Sequence, residues 1–520
     1  MKTFLIPSLD FILENGQLKF THVRKLDELI SGLINKEVKA VIPVAVKHGS
    51  WKDGGLSIPC IREKAEVARV KALIKMITNE DASIRTLIEK AIEDERTLRK
   101  VEIEVDNSKQ RFLNWACNIN QIEHKGTNSI VQRARRASEF LDLTLTTEQE
   151  DESDEVDSIP HIKVKDTLLN KEKIFNSNKG VSLFLTNRRR DRWKSHLQKQ
   201  SFHLHSFFSL SNNPLSSEFL IKQQFPINDE IIKFALKART NNLGTTEFDE
   251  LINGRQHTPC PSCLSHGKHC IQSLAHILNG CTCKYHDYTI RHNRIQNILV
   301  EYIKELAGIE EIYTDNSIHM AGIPEDLAKL RPDIVSWFSN RSKCVILEVS
   351  IPYATIQWNS DTLENVYNHK VLKYNGLVTH LRSQGINVTY GAIIVSSVGA
   401  VFQESINDIN RIFINRKVCK TIIKRLAINA IIGSINIWKN RTHYQSSPIT
   451  DPNTHEVDLN GPQILNSPVA DDNPHPSESP ANDPAQIIDI VSQDPHPTYA
   501  SSSDGDEPFE DDYLSDVDEQ

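Results

Sequence analysis

Apolar positions in the first 140 residues recur at helical rather than strand spacing. Between Ile61 and Leu98 the chain has few breakers and sets Val67, Val70, Leu73, Ile74 and Ile77 on one stripe, which predicts a long helix. Asp53-Gly54-Gly55 just before it predicts a turn, because glycine accepts positive backbone dihedrals. Further helices are expected over Glu230 to Arg239 and over Arg291 to Leu306, where Ile295, Ile298, Leu299, Tyr302 and Leu306 share a face. There the pattern changes. Apolar and β-branched runs predict strands at Ile309 to Tyr313, Pro332 to Phe338 and Lys343 to Ile351, then a helix over Asp361 to Leu381 and a strand over Val388 to Ser396. Helix, three strands, helix, strand is a compact α/β unit, and Ile406 to Trp438 reads as a helical, basic close to it.

A chain of 520 residues is too long for one core and predicts two or three domains. Its net charge of -8 averages unlike parts. Residues 451 to 520 hold 18 Asp and Glu and no Lys or Arg, whereas residues 158 to 450 hold 36 basic and 23 acidic groups, a balance of +13. Such a body can meet a phosphate backbone, although a solvated lysine-rich surface accounts for the same balance. The acidic run Glu148 to Asp157 marks a domain boundary. Beyond Arg441, proline, serine and aspartate predict a disordered acidic tail that keeps a basic protein soluble or recruits partners. No apolar run approaches the roughly 20 residues that span a bilayer. Asp10 and Glu14 interrupt the apolar start, so no signal peptide, no membrane partner and an intracellular location are expected.

Arg188, Arg189, Arg190 and Arg192 beside Trp193 form a basic helical candidate. Guanidinium groups next to an indole can grip phosphates and stack on a base, but an exposed amphipathic linker or a nuclear-import signal reads the same way.

Five of the nine cysteines fall between Cys260 and Cys283, which is metal-site clustering rather than a disulfide framework. Cys260-Pro261-Ser262-Cys263 aims two thiolates at one ion, and His276 with Cys281 on the following turn completes a closed, tetrahedral zinc site. Cys270, Cys283, His266, His269 and His286 are spare donors, so the third and fourth ligands stay open. With four protein ligands the zinc is structural.

Pro332-Asp333 opens one strand, and Glu348 lies within the apolar run of the next. A charged Glu there is costly unless it meets a cation. Neighbouring antiparallel strands would bring Asp333 and Glu348 to one magnesium or manganese ion. Lys370, Lys373 and Tyr374 are spaced to share a helix face, from which a lysine could orient the attacking water and offset phosphate charge. The plain alternative is a turn and a strand Glu paired with lysine.

The order of these motifs resembles the C-terminal region of site-specific non-LTR retrotransposon polyproteins. A CCHC motif ending here in Leu274-Ala275-His276-Ile277-Leu278-Asn279-Gly280-Cys281 is followed by Arg291-His292-Asn293, then Arg331-Pro332-Asp333, Glu348-Val349-Ser350-Ile351-Pro352-Tyr353, and Lys370 to Tyr374. The resemblance implies a restriction-like endonuclease domain of the PD-(D/E)XK type, with the lysine moved from the strand, where Ser350 stands, to the helix. It implies catalytic roles for Asp333, Glu348 and Lys370 or Lys373, a supporting role for Tyr374, and phosphate contacts from Arg291 and His292. Residues 1 to about 100, with Lys52-Asp53-Gly54-Gly55-Leu56, resemble the preceding reverse-transcriptase thumb.

The expected organisation is therefore mixed. A helical thumb-like region spans 1–140, an acidic linker 141–160, a basic helical linker 161–255, the zinc module 256–290, the endonuclease domain 291–440 and the disordered tail 441–520. No Tyr/Phe-x-Asp-Asp of a polymerase palm occurs outside the tail, so reverse transcription is not expected, and Met1 is expected to begin inside a truncated element. The expected activity is metal-dependent nicking of target DNA for target-primed reverse transcription, in the nucleus, with DNA and element RNA as partners. The rival readings are an inactive remnant that only binds nucleic acid through zinc and basic residues, and a host-adopted interaction protein.

Overall fold

The structure, a computed structural model, describes residues 20–98, 129–148, 161–176, 180–199, 210, 213–221, 227–254, 258–318, 322–338, 341–354, 356–357 and 360–442. The expected disordered tail lies outside the described residues from 443 onward. Among those described, no helix is long and apolar enough to cross a membrane.

The N-terminal part is helical, as its apolar spacing requires. Helix α1 (Phe20–Val38) supplies Asp27, whose carboxylate accepts from the Ile61 and Arg62 amides at 2.7 and 2.9 Å and so caps α2 (Ile61–Ile77). The long helix expected to Leu98 is broken into α2 and α3 (Ala82–Leu98). Asn79 Oδ1 accepts from the Asp81 amide and Asp81 Oδ1 from the Ser83 amide, so two local side-chain turns divert the backbone and start a new helix. Gly54 takes φ of 89° at the expected turn. Helix α4 (Ile130–Phe140) then packs on α2.

The region expected as an acidic and then a basic helical linker instead contains a three-stranded antiparallel sheet, β1 (Leu143–Glu148), β2 (His161–Asp166) and β3 (Lys171–Phe175). Its cause is a period-two pattern: Leu143, Leu145, Ile162 and Val164 are buried against Val70, Leu73 and Ala134, while the lysines between Ile162 and Asp166 face outward. Helix α5 (Val181–Lys199) packs Val181 and Leu185 into the same core, and α6 (Asp229–Arg239) follows.

From 285 onward the alternation of α and β follows the sequence pattern closely. Helix α7 (Tyr285–Lys304) precedes β4 (Ile309–Thr314), β5 (Ile334–Phe338) and β6 (Lys343–Ser350), then α8 (Thr362–Ser383), β7 (Asn387–Ile394), α9 (Gln403–Ile412) and α10 (Arg416–Lys439). The sheet order is β4-β5-β6-β7, antiparallel except that β7 runs parallel to β6 after the α8 crossover. Alternation sorts β6 between two cores. Val345, Leu347 and Val349 meet α7 and α10, while Cys344 and Ile346 face α8 with Tyr374, Leu377 and Leu381. Burial on both faces explains why β6 reads as a continuous apolar run. Helices α7 and α10 approach very closely at Gly433, where a Cβ would lie 2.4 Å from Arg291 Cγ.

Candidate active site and metal centre

Since Ile346 faces α8, Glu348 does too. Asp333 precedes β5 on the side of Val335 and Trp337, also the α8 side. Pairing of Ile334 with Leu347 sets the two acids beside each other, and the Asp333 amide donates to Glu348 Oε1 at 3.0 Å. Lys370 Nζ on α8 lies 3.3 Å from Glu348 Oε2. Tyr374, one turn on, is buried and donates to Arg331 O at 2.9 Å, fixing α8 to the start of β5. Lys373 does not share that inner face: it is exposed, its ammonium 5.4 Å from the Tyr374 ring centre. As the residue immediately before Tyr374 it is turned about 100° around α8 from it, toward solvent, so the structure separates the two candidate lysines.

Asp333 Oδ2 accepts from the Val349 amide at 2.6 Å and lies 3.4 Å from His292 Nε2. His292 therefore sits on a carboxylate, where a phosphate contact had been expected. Burial pushes the Asp333 carboxyl up, but His292, Lys370 and the Val349 amide outweigh it and hold it below the ordinary range. Glu348, only 1 % exposed and next to Asp333, is pushed up to about 7 by burial first and by that neighbour second, with Lys370 opposing. Two residues absent from the sequence reading complete the site. Gln296 Nε2 donates to Asp315 Oδ2 at 3.1 Å and to Asp333 O at 2.7 Å, and Asp315 adopts φ of 54° at the end of β4. Gln296 lies one helical turn from His292 on α7, a spacing that could have pointed to it.

The oxygens suit a hard cation. Glu348 Oε2 lies beside Lys370, the Tyr374 hydroxyl also interacts with the Glu348 carboxyl, and Asp333 Oδ1 carries no hydrogen bond among the described residues. The pair is not a closed cage, and magnesium, which keeps several waters and binds through one or two carboxylates plus phosphate, does not need one.

The cysteine cluster is the opposite case. Cys260, Cys263, His276 and Cys281 place their donor atoms within 4.8 Å of one another and could hold a metal ion. Cys281 Sγ lies 3.9 Å from Cys260 Sγ and 3.6 Å from Cys263 Sγ, and Cys263 Sγ lies 3.4 Å from His276 Nε2. The bridge between Pro259 and Ile271 shapes the first pair, and Tyr288 OH accepts from the Cys281 amide at 3.0 Å to fix the last ligand. Three sulfurs and one imidazole in tetrahedral proximity fit zinc. Burial, with the neighbouring cysteines adding to it, pushes the Cys281 thiol up to about 12 and drives the Cys263 thiol higher still, a penalty that a bound zinc ion would offset. Among the spare donors, Cys283 and His266 pair with each other at 3.3 Å, outside this group.

The arginines expected at nucleic acid are mostly engaged inside the protein. Arg188 is 4 % exposed and bonds Asp166 and Leu141 O, because the end of β2 buries a carboxylate that needs a counter-charge. Arg190 bonds buried Asp53 at 3.0 Å, Arg192 lies 3.6 Å from Asp142, and Trp193 donates to Glu63 at 3.1 Å. Arg189 alone of the four has no ion pair among the described residues. Arg291 is buried, bonded to Ser434 Oγ at 2.9 Å and reaching Ile351 O at 3.4 Å, and burial lowers it to about 10. It braces α7 against α10, and its guanidinium is not at the surface. No protein-family model matches this chain and no curated protein matches it, which leaves the two donor sets themselves as the guide to its chemistry.

Proposed function

We propose that the chain is a metal-dependent DNA endonuclease of the restriction-like, PD-(D/E)XK type, the kind that nicks target DNA for non-LTR retrotransposition. The observation that carries the reading is the convergence of Asp333 and Glu348 from adjacent antiparallel strands with Lys370 Nζ 3.3 Å from the Glu348 carboxylate. The helix, three antiparallel strands, crossover helix and parallel strand that carry these residues support the same reading.

Asp333 Oδ1 and Glu348 Oε2 would hold magnesium or manganese, which supplies Lewis-acid polarisation of the phosphate and a more acidic water. Lys370 orients that water and offsets charge on the phosphate as the scissile bond breaks. Val349 and His292 fix the Asp333 carboxylate, and Tyr374 holds α8 so that Lys370 stays over the strand end. Zinc in the Cys/His cluster is structural and stabilises the neighbouring backbone. Target DNA and element RNA are the partners and the nucleus the site of action in this reading.

The test is nicking of supercoiled plasmid by the full chain with magnesium or manganese, compared with Asp333→Ala. Nicking by the wild type that the variant lacks supports the proposal. DNA binding with no nicking by the wild type would overturn it in favour of a zinc-dependent nucleic-acid-binding protein.

A further inference from the structure

Strand β6 loses its partner before it reaches the end. On the β7 side its pairing continues past the acids: Ser350 O accepts from the Val395 amide at 3.0 Å and Pro352 O from the Ser397 amide at 2.8 Å. On the β5 side the last paired residue is Leu347, opposite Ile334, and Pro332 further back has no amide hydrogen to offer. Backbone groups of a buried strand must nonetheless be satisfied. Side chains take over in sequence. The Val349 N–H is taken by Asp333 Oδ2, and the Ile351 carbonyl accepts from Asn279 Nδ2 at 2.5 Å and from Arg291 Nη2 at 3.4 Å.

Asn279 belongs to the Cys/His module. It sits in the single π turn His276–Gly280, three residues after one candidate zinc ligand and two before another. The ligands that close around an ion on either side therefore set where its amide points. Its target, Ile351, lies three residues beyond Glu348 on the same extended backbone.

We propose that Asn279 is a positioning residue that substitutes for the missing β5 partner of β6, so that the zinc module sets the placement of Glu348 and, through Val349, of Asp333. This rests on the nuclease reading of those acids, but the strut itself does not depend on activity. Zinc is then more than a fold staple: an empty module would leave the carboxylates present and misplaced.

The experiment uses the full chain and Asn279→Ala, with zinc content, DNA affinity, nicking kinetics and amide hydrogen exchange of Val349 and Val395 measured together. Packing of Tyr353 near Leu274, Ile277 and Leu278 is untouched by the substitution, so zinc content and DNA affinity should hold. Exchange at Val349 should quicken, and kcat should fall roughly 10- to 100-fold with KM unchanged, the cost of a misplaced reacting group. Chelation of zinc from the wild type should quicken the same amide, which keeps the idea testable if the variant folds poorly. Unchanged exchange at Val349 under both treatments overturns the proposal, as does wild-type kcat in Asn279→Ala. If the wild type never nicks DNA, the nuclease reading fails while the exchange data still decide the role of Asn279.

Discussion

The Cys260–Cys281 cluster and the Asp333–Glu348 pair are linked by the bond from Asn279 to the Ile351 carbonyl, three residues beyond Glu348, and they solve opposite problems. The first gathers four soft donors within 4.8 Å and leaves no position for a substrate. The second brings two carboxylates together from adjacent strands with Lys370 and His292 beside them, and in the proposed reading a hard ion there would take the rest of its coordination from water and phosphate. A closed donor set converts metal affinity into folding free energy, whereas an open one holds it available for chemistry. The difference separates the two sites experimentally.

Removing zinc should have the largest effect. Structural zinc binds with about 10–16 kcal/mol in small modules, so Cys281→Ser or a strong chelator should abolish amide protection across 258–290 and lower Tm. Unchanged thermal unfolding after confirmed zinc loss would break the comparison. Next comes Asp333→Ala, which should reduce nicking by about 100-fold or more while zinc content holds, since a charge-stabilising contact is worth that much.

Glu348→Gln sharpens the contrast because its two consequences have opposite signs. The folded protein holds Glu348 at about 7 against an ordinary 4.5, so its contribution to stability is full below about pH 4.5 and is lost as pH rises through about 7. Gln resembles the protonated acid. The variant should match wild-type Tm at pH 4.5, exceed it by a few degrees at pH 8, and nick nothing at either pH. A lower Tm at pH 8 would mean that the ion pair with Lys370 outweighs burial. The smallest effects separate the lysines: Lys370→Ala should lower kcat roughly 10-fold, and exposed Lys373→Ala should leave it within about twofold.

In the α/β half the type and order of the elements were legible because local periodicity sets them and β6 is a nearly continuous apolar run, although α7 begins six residues before the expected Arg291 and the closing helical stretch is two helices, α9 and α10. The bond between His292 and Asp333 was not, because it joins residues 41 apart through a helix whose rotation is fixed by tertiary packing against α10 and the sheet. Arg188 misled for a similar reason. Its partner Asp166 ends a strand whose Ile162 and Val164 alternation was present in the sequence but was masked by Lys163 and Lys165 beside them. The arginine run carried a charge signal without any sign of its burial. The interruption at Asn79 to Asp81 was readable as turn chemistry and lost to the stronger apolar stripe on either side.

Gly433 has a consequence for the carboxylate site. Arg291 fills the volume that any other residue at 433 would claim, and its head group ties Ser434 to Ile351. Positions 291 and 433 are therefore constrained as a pair: a long cation at one requires an absent side chain at the other, 142 residues away. A side chain added at 433 without shortening residue 291 would therefore force α7 and α10 apart and carry His292 away from Asp333.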